Sequence, residues 1–326
     1  AYSHDGGLTW TFPGVLQPGQ FRSDPVLAAN SQGVFIYNSL STTTRAEMFL
    51  SYDKGVTWSG PIPAFGGDKN WMTVDNSGGI GDRNIDPIWN SQFTCCASGT
   101  DYARSLDDGL TYEGPFRTPE KPKWGTVAVG PDGELYFVGT RTSDGSYPVP
   151  HLLLKSTSAR DPFQEPVFEQ VTGLDLNGET GTFGVPNPGG LMGQVWVAVD
   201  SSDGPTRGNV YVLGSVDPPG PDPMEVMVTT STDGGVTFSP PELVNKVSTG
   251  WQWFGTMSVA PNGRIDVVWN DTRNDPTAIN SELYYSYSTS SGLKWAEGLP
   301  VSPPFNSLVG HPSQNKIGDY YHMVSD

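Results

Sequence analysis

The chain has 326 residues, 16% of them charged, with 40 Gly and 29 Pro; this mix suits many short strands joined by tight turns and argues against long helices. Eighteen basic against 35 acidic residues give a net charge of −17, which repels phosphate backbones and excludes nucleic acid as the expected partner. No apolar run is long enough to span a bilayer, and no leader is read at the start, which opens mid-motif at Ala1-Tyr2-Ser3, as expected once a leader has been removed.

In chain order, the first element is the box Ser3-His-Asp5-Gly-Gly7-Leu-Thr9-Trp10. A hairpin follows, Val26–Asn30 turning at Gly33 into Val34–Tyr37, and leads to a second box, Ser51-Tyr-Asp53-Lys-Gly55-Val-Thr57-Trp58. The third box is Ser105-Leu-Asp107-Asp-Gly109-Leu-Thr111-Tyr112; the hairpin Val127–Val138 turns at Pro131-Asp-Gly133 and reaches a degraded copy at Ser156-Thr-Ser158. After an insertion rich in Gly and Pro near Asp175–Gly193, strands at Val195–Val199 and Gly208–Val212 precede the box Ser231-Thr-Asp233-Gly-Gly235-Val-Thr237-Phe238. The hairpin Ser258–Val268 leads to a last, degraded box, Ser288-Thr-Ser290-Ser-Gly292-Leu-Lys294-Trp295.

The motif chemistry is local. The Asp carboxylate accepts backbone N–H groups across its own turn, Gly takes the left-handed conformation, and Thr with the aromatic ring fastens the turn to the next strand. Each unit reads as strand, Gly turn, strand, loop, strand, box, strand, which is one four-stranded antiparallel blade. Box starts at 3, 51, 105, 156, 231 and 288 are spaced as blades are. The sequence therefore predicts an all-β, single-domain, six-bladed β-propeller over residues 1–326. Its blades are expected at 306–326 plus 1–16, 21–64, 70–118, 123–172, 185–246 and 250–302. Ile317–Val324 reads as an inner strand that closes the ring by sharing one blade with the N-terminus, leaving no open sheet edge.

Boxes at this spacing resemble the sialidase-like superfamily of Asp-box (BNR-repeat) propellers, over essentially the whole chain. The resemblance implies the fold; its members include sialidases, other glycosidases and non-catalytic propellers, so function must be argued from the site. A sialidase of this kind implies three arginines on a substrate carboxylate, a tyrosine nucleophile supported by a glutamate, and an aspartate acid/base. Arg22 and Asp24, in Phe21-Arg22-Ser23-Asp24-Pro25, partly match the first arginine motif, with Ser-Asp in place of Ile. Arg273 is a late-blade candidate, Tyr320 beside Asp319 lies on the terminal strand, and Glu179 lies in the insertion. No third arginine follows the family pattern, and an ion pair is the competing reading for each.

Aromatics open several inner strands: Trp71, Trp124, Trp251 and Trp253. In a propeller such positions gather on one rim, where they would stack on sugars or pack between blades; Asp5, Asp53, Asp107 and Asp233 belong on the opposite side, as structural residues. No metal site and no cofactor are expected, calcium staying open because Asp175-Leu-Asn177-Gly-Glu179 alternates oxygen ligands without the full spacing. Asn270-Asp-Thr272 is a glycosylation sequon, and the adjacent Cys95 and Cys96 are either a vicinal disulfide or two small strand residues. Two readings lead. One is a secreted, periplasmic or cell-surface module binding a glycan or an extracellular protein; the other is an exo-α-sialidase-type glycoside hydrolase using the channel face. A polysaccharide lyase on the same scaffold is a third. Oligomeric state is not legible.

Overall fold

The computed structural model describes residues 1–141, 150–310 and 313–326. The chain is an all-β propeller with four-stranded antiparallel blades, and it has five of them, not six. It divides into two compact units.

The first unit comprises Ala1–Lys121, Asp132–Leu135 and Thr157–Phe168. It holds blade one, β1 (Ser23–Ala29), β2 (Phe35–Leu40), β3 (Ala46–Ser51) and β4 (Ser59–Pro63), and blade two, β5 (Trp71–Val74), β6 (Ile85–Ile88), β7 (Tyr102–Arg104) and β8 (Glu113–Phe116). Middle strands are buried while outer strands are wet: β3 is almost wholly buried and β4 almost wholly exposed. Proline punctuates those outer edges at Pro61, Pro63 and Pro115, where a missing N–H costs no ladder bond and discourages edge pairing.

The second unit comprises Pro122–Pro131, Tyr136–Ser156 and Glu169–Asp326. Blade three is β9 (Val127–Val129), β10 (Leu135–Thr140, of which Leu135 falls in the first unit), β11 (His151–Ser156) and β12 (Gln170–Leu174). The insertion follows, as β13 (Glu179–Thr180) and the hairpin β14 (Thr182–Gly184) with β15 (Asn187–Leu191). Blade four is β16 (Trp196–Val199), β17 (Val210–Asp217), β18 (Glu225–Ser231) and β19 (Glu242–Leu243). Blade five is β20 (Gln252–Val259), β21 (Ile265–Asp271), β22 (Asn280–Ser288) and β23 (Leu299–Pro300), with β24 (Phe305–Asn306) on the start of β22. Tyr136, Leu153, Val197, Val212, Val216 and Met227 belong to one buried cluster that glues blades three and four.

One register detail positions the site. β16 pairs Trp196 with Leu213 on β17, and β13 pairs Glu179 with Asp217 and Thr180 with Val216 further along the same strand. The inner-strand line of blade four is thus interrupted: Glu179 and Thr180 occupy its outer end, and residues 181–195 leave the sheet between the two pieces.

Among the described residues the expected sixth blade does not form. Residues 1–16 form only the first box, closed by an isolated Tyr2–Thr11 bridge, and residues 313–326 carry no strand. The terminal segment packs by side chains instead. Tyr321 stacks on Phe254, ring centres 5.1 Å apart, and His322 on Trp196 at 5.9 Å. Asp319 accepts the Leu191 N–H at 2.8 Å and Asn187 Nδ2 donates to the Gly318 carbonyl at 3.0 Å, clamping the segment to the β14–β15 hairpin, while Lys316 Nζ holds the Asp319 carboxylate from within the segment at 2.7 Å.

The boxes have the local chemistry expected of them. In the second box, Thr57 donates its N–H to Asp53 Oδ1 at 2.8 Å and its hydroxyl to Oδ2 at 2.6 Å, while the Gly55 N–H reaches Ser51 Oγ at 2.8 Å. Asp5, Asp107 and Asp233 repeat the pattern. Hydrogen bonds from Thr9 and Thr237 hold Asp5 and Asp233 at a pKa of about 2, because donors aimed at a carboxylate favour its charged form. Gly55, Gly109 and Gly235 all have φ near +86° or +85°, which a side chain would strain. In the last box Ser290 Oγ accepts the Lys294 N–H at 3.0 Å, a hydroxyl standing in for the carboxylate.

Candidate functional site

Within a blade, strands alternate in direction, so the starts of the first and third strands and the end of the second share one rim, and the box turns lie at the other. In the second unit, neighbouring blades meet through parallel bridges: Gly125–Val195 joins the segments that open the inner strands β9 and β16, and Met224–Trp251 joins the start of β18 to the start of β20. Its rim therefore gathers Lys123 and Trp124 before β9, Arg141 after β10, His151 opening β11, Glu179 and Thr180, Asp217 ending β17, and Trp251 before β20.

Part of that rim is a cleft of about 240 Å³ lined by Lys123, Trp124, Thr140, Arg141, Pro150, Glu179 and Thr180. Trp124 is half-buried and held at φ +55°, which turns its ring out of the strand that begins three residues later. Lys123 Nζ lies 4.2 Å from that ring's centre, a cation–π contact. The Arg141 N–H bonds the Pro150 carbonyl at 2.9 Å, while its buried Nε has no hydrogen-bond partner among the described residues. Beneath Thr180, the fully buried His151 places Nε2 2.9 Å from Thr180 Oγ1. Burial lowers the His151 pKa to about 4, against the opposing charge of Asp175, so the ring is neutral at neutral pH.

Of the residues singled out by sequence, the structure brings Trp124 and Glu179 into this one cleft. Trp251, half-buried, packs on a cluster of Met192, Met224, Trp253 and Phe254. Trp71 and Trp253 are 4% and 0% exposed and offer no face to a ligand, so the expected four-tryptophan platform reduces to Trp124 and Trp251. Arg273 is occupied: its Nη2 contacts the buried Asp271 at 2.5 Å and its guanidinium lies 4.2 Å over the Tyr284 ring. Asp319 is held by Leu191 and Lys316 as described, and Tyr320 is its half-buried neighbour.

In the first unit, Arg22 is ion-paired to Glu47 and also contacts Gln17. Asp24, at φ +51°, accepts the Lys69 N–H at 3.0 Å and so ties β1 to the start of β5. Both arginines are thus neutralised by carboxylates, the ion-pair reading rather than a carboxylate grip. A hollow of about 490 Å³ beside Arg22 is lined mainly by apolar groups such as Leu16, Leu27, Phe49 and Trp58. Asp175 caps its own turn by accepting the Asn177 N–H at 2.8 Å, and among the described residues no group of three His, Cys, Asp or Glu is arranged to hold a metal. Asn270 is fully buried, which removes the sequon as a modification site. Cys95 and Cys96 are joined as a vicinal disulfide.

Sequence reading missed Arg141, Thr180 and His151. Arg141 had a signal, since it directly follows β10 and the end of a second strand must reach the rim. His151 had the same kind of signal, since it opens β11, the third strand of its blade; Thr180 had none, because β13 is two residues long and joins the sheet only through β17.

With the geometry in place, comparisons with known proteins concern mainly the fold. The BNR/Asp-box repeat family matches residues 1–12. A protein of unknown function from Dyadobacter fermentans superposes with a TM-score of 0.50 at 14% identity, over 89% of this chain and 84% of its own. An ulvan lyase of a polysaccharide lyase family superposes with a TM-score of 0.57 at 11% identity, over 88% and 74%. No curated protein matches in sequence. The chain is therefore a β-propeller built of Asp-box blades. Within that class it is of the BNR type, as the boxes implied. Among the described residues no helix is long and apolar enough to cross a membrane.

Proposed function

We propose that the protein is a glycan-directed extracellular propeller whose ligand docks in the rim cleft at Trp124. The observation that carries this reading is the cleft's composition: one half-exposed indole surrounded by fixed polar groups of both signs, Lys123, Arg141, Glu179 and Thr180. Sugars are bound by that combination, ring face against C–H surface and charged groups to hydroxyls. The shared fold of a polysaccharide lyase agrees with it, and the vicinal disulfide agrees with an oxidising, secreted setting. A glycan array probed with the wild-type chain and with Trp124→Ala tests the reading. Binding that is lost in the variant supports it; no binding to any glycan, or equal binding by both, overturns it.

A hydrolase reading is favoured by one separate observation. Burial, reinforced by neighbouring Asp222, pushes Glu225 up to about 7, the range in which a carboxylic acid serves as a general acid near neutral pH. Asn245 links Glu225 to Gln252, next to Trp251. Hydrolysis of fluorogenic glycosides that Glu225→Gln abolishes would make the protein an enzyme.

A further inference from the structure

The Trp124 cleft does not stand alone. A second hollow, about 390 Å³, is lined by Pro150, Asp175, Asn177, Gly178, Glu179, Asp217, Pro218 and Pro219, and so shares Pro150 and Glu179 with the first. We infer that the two hollows are consecutive subsites for one linear acidic oligosaccharide, an anionic unit in the Lys123–Arg141 cleft and a neutral unit over Asp175 and Asp217. This rests on the glycan-directed reading above.

The charges set the order. In a chain of 18 basic and 35 acidic residues, Lys123 and Arg141 line one cleft, and neither has a carboxylate at ion-pair distance among the described residues. Arg141 Nε, buried and without a partner among the described residues, leaves a charged donor unmet there. An anionic acceptor relieves that cost and matches the guanidinium fork.

A third donor comes from the floor. His151 Nδ1 is buried and unpartnered while Nε2 faces Thr180 Oγ1. An orphaned buried N–H is rarer than an orphaned acceptor, so we assign the ring proton to Nε2, with Thr180 Oγ1 as its acceptor. The Thr180 hydroxyl keeps its own proton to donate into the cleft. His151 is thus a positioning residue for Thr180.

The second hollow has opposite chemistry. Asp175, Glu179 and Asp217 are exposed carboxylates that only accept hydrogen bonds. Asp175 and Asp217 repel an anion and suit the hydroxyls of a neutral sugar, while Glu179, which lines both hollows, stands at their junction and accepts from hydroxyls there. Gly178 lets the chain pass close there: a Cβ on it would stand 2.2 Å from the Asp217 carbonyl oxygen. Pro218 and Pro219 stiffen the far wall. Each hollow is near or below the lower end of ordinary ligand pockets, about 300–1,000 Å³, so each suits a single ring, and the shared Glu179 makes the two rings neighbours.

Calorimetric titration of the full chain with free glucuronate and with a hyaluronan tetrasaccharide, which alternates glucuronate and N-acetylglucosamine, tests the inference. The tetrasaccharide is expected to bind about tenfold more tightly than glucuronate or better, a gap of about 1.4 kcal/mol. Asp217→Ala should erase most of that gain and leave glucuronate binding within about twofold, while Arg141→Gln weakens both ligands by about tenfold. Equal affinity for the two ligands, or a tetrasaccharide affinity indifferent to Asp217→Ala, overturns the two-subsite inference and leaves the glycan reading standing if Trp124→Ala still abolishes glucuronate binding. Binding of a neutral chitotetraose but of neither acidic ligand overturns the inference alone. Binding of none of the three, with no glycan captured on the array, overturns both.

Discussion

Arg104 Nη1 donates to the Ala159 carbonyl at 2.8 Å. The same guanidinium reaches the carbonyls of Asp161 at 3.1 Å and Gln164 at 2.6 Å and is ion-paired to Glu113. Ala159 lies where the fourth box lost its Asp and Gly; there Asp161 accepts the Phe163 N–H at 2.9 Å in the manner of a box carboxylate, and Arg104 adds donors to the carbonyls of that turn, which no intact box receives from its own Asp. Arg104 is 2% exposed. Arg104→Met keeps much of the volume and orphans these carbonyls, and should destabilise the fold by on the order of 3 kcal/mol. Denaturant titration checks this; an unchanged midpoint would show that the turn holds without it.

The intact boxes make a different prediction. Asp233 accepts its bonds within five residues, on the edge of the blade away from the rim cleft. Asp233→Ala should lower the melting temperature while leaving glycan affinity unchanged. A variant that melts normally but no longer binds would mean the box faces the ligand.

The boxes were legible because every bond that defines them spans at most four residues. Blade number was not, because pairing depends on partners far along the chain. Ile317–Val324 has the aromatic and β-branched content of a strand, yet Tyr321 and His322 spend it on stacking against Phe254 and Trp196, and Asp319 on clamping β15. The arginines failed for a related reason: sequence gives the residue, whereas Glu47 and Asp271 decide whether its charge is free. Trp124 could be read from the chain as a strand-opening aromatic; the placing of Glu179 and Thr180 beside it depends on the short β13–β17 pairing, and His151 reaches Thr180 from β11.

His151 should make stability depend on acid pH. Its pKa is about 4 in the folded chain against 6.5 for the free side chain, so the unfolded state binds the extra proton between those values. Stability from this group is complete above pH 6.5 and is lost as pH falls toward 4. At about 1.36 kcal/mol per pH unit the loss totals about 3 kcal/mol. Asp86 works in the opposite sense: burial raises it to about 7, so its contribution declines as pH rises from about 4 toward 7. Comparing wild type with His151→Gln at each pH isolates the histidine. The stability difference should shrink between pH 6.5 and 4; a constant difference would show that the ring is charged or solvated.

The two tryptophans Trp124 and Trp253 should respond oppositely to truncation. Trp253 is fully buried, its Nε1 donating to Ser281 Oγ at 3.1 Å. Trp253→Ala opens a core cavity and removes one of the two hydrogen bonds at Ser281 Oγ, at a cost of about 3–5 kcal/mol. Trp124 stands at the rim with one face near Lys123 Nζ. Trp124→Ala removes a stacking surface and should cost glycan binding about 0.5–1.5 kcal/mol beyond the lost area, with little change in melting temperature. Trp124→Phe, which keeps an aromatic face, should recover part of the affinity. Thermal melts and glycan titrations on the three variants separate the cases. If Trp124→Ala unfolds the protein as readily as Trp253→Ala, the indole belongs to the core; if it folds and binds as before, the ligand docks elsewhere on the propeller.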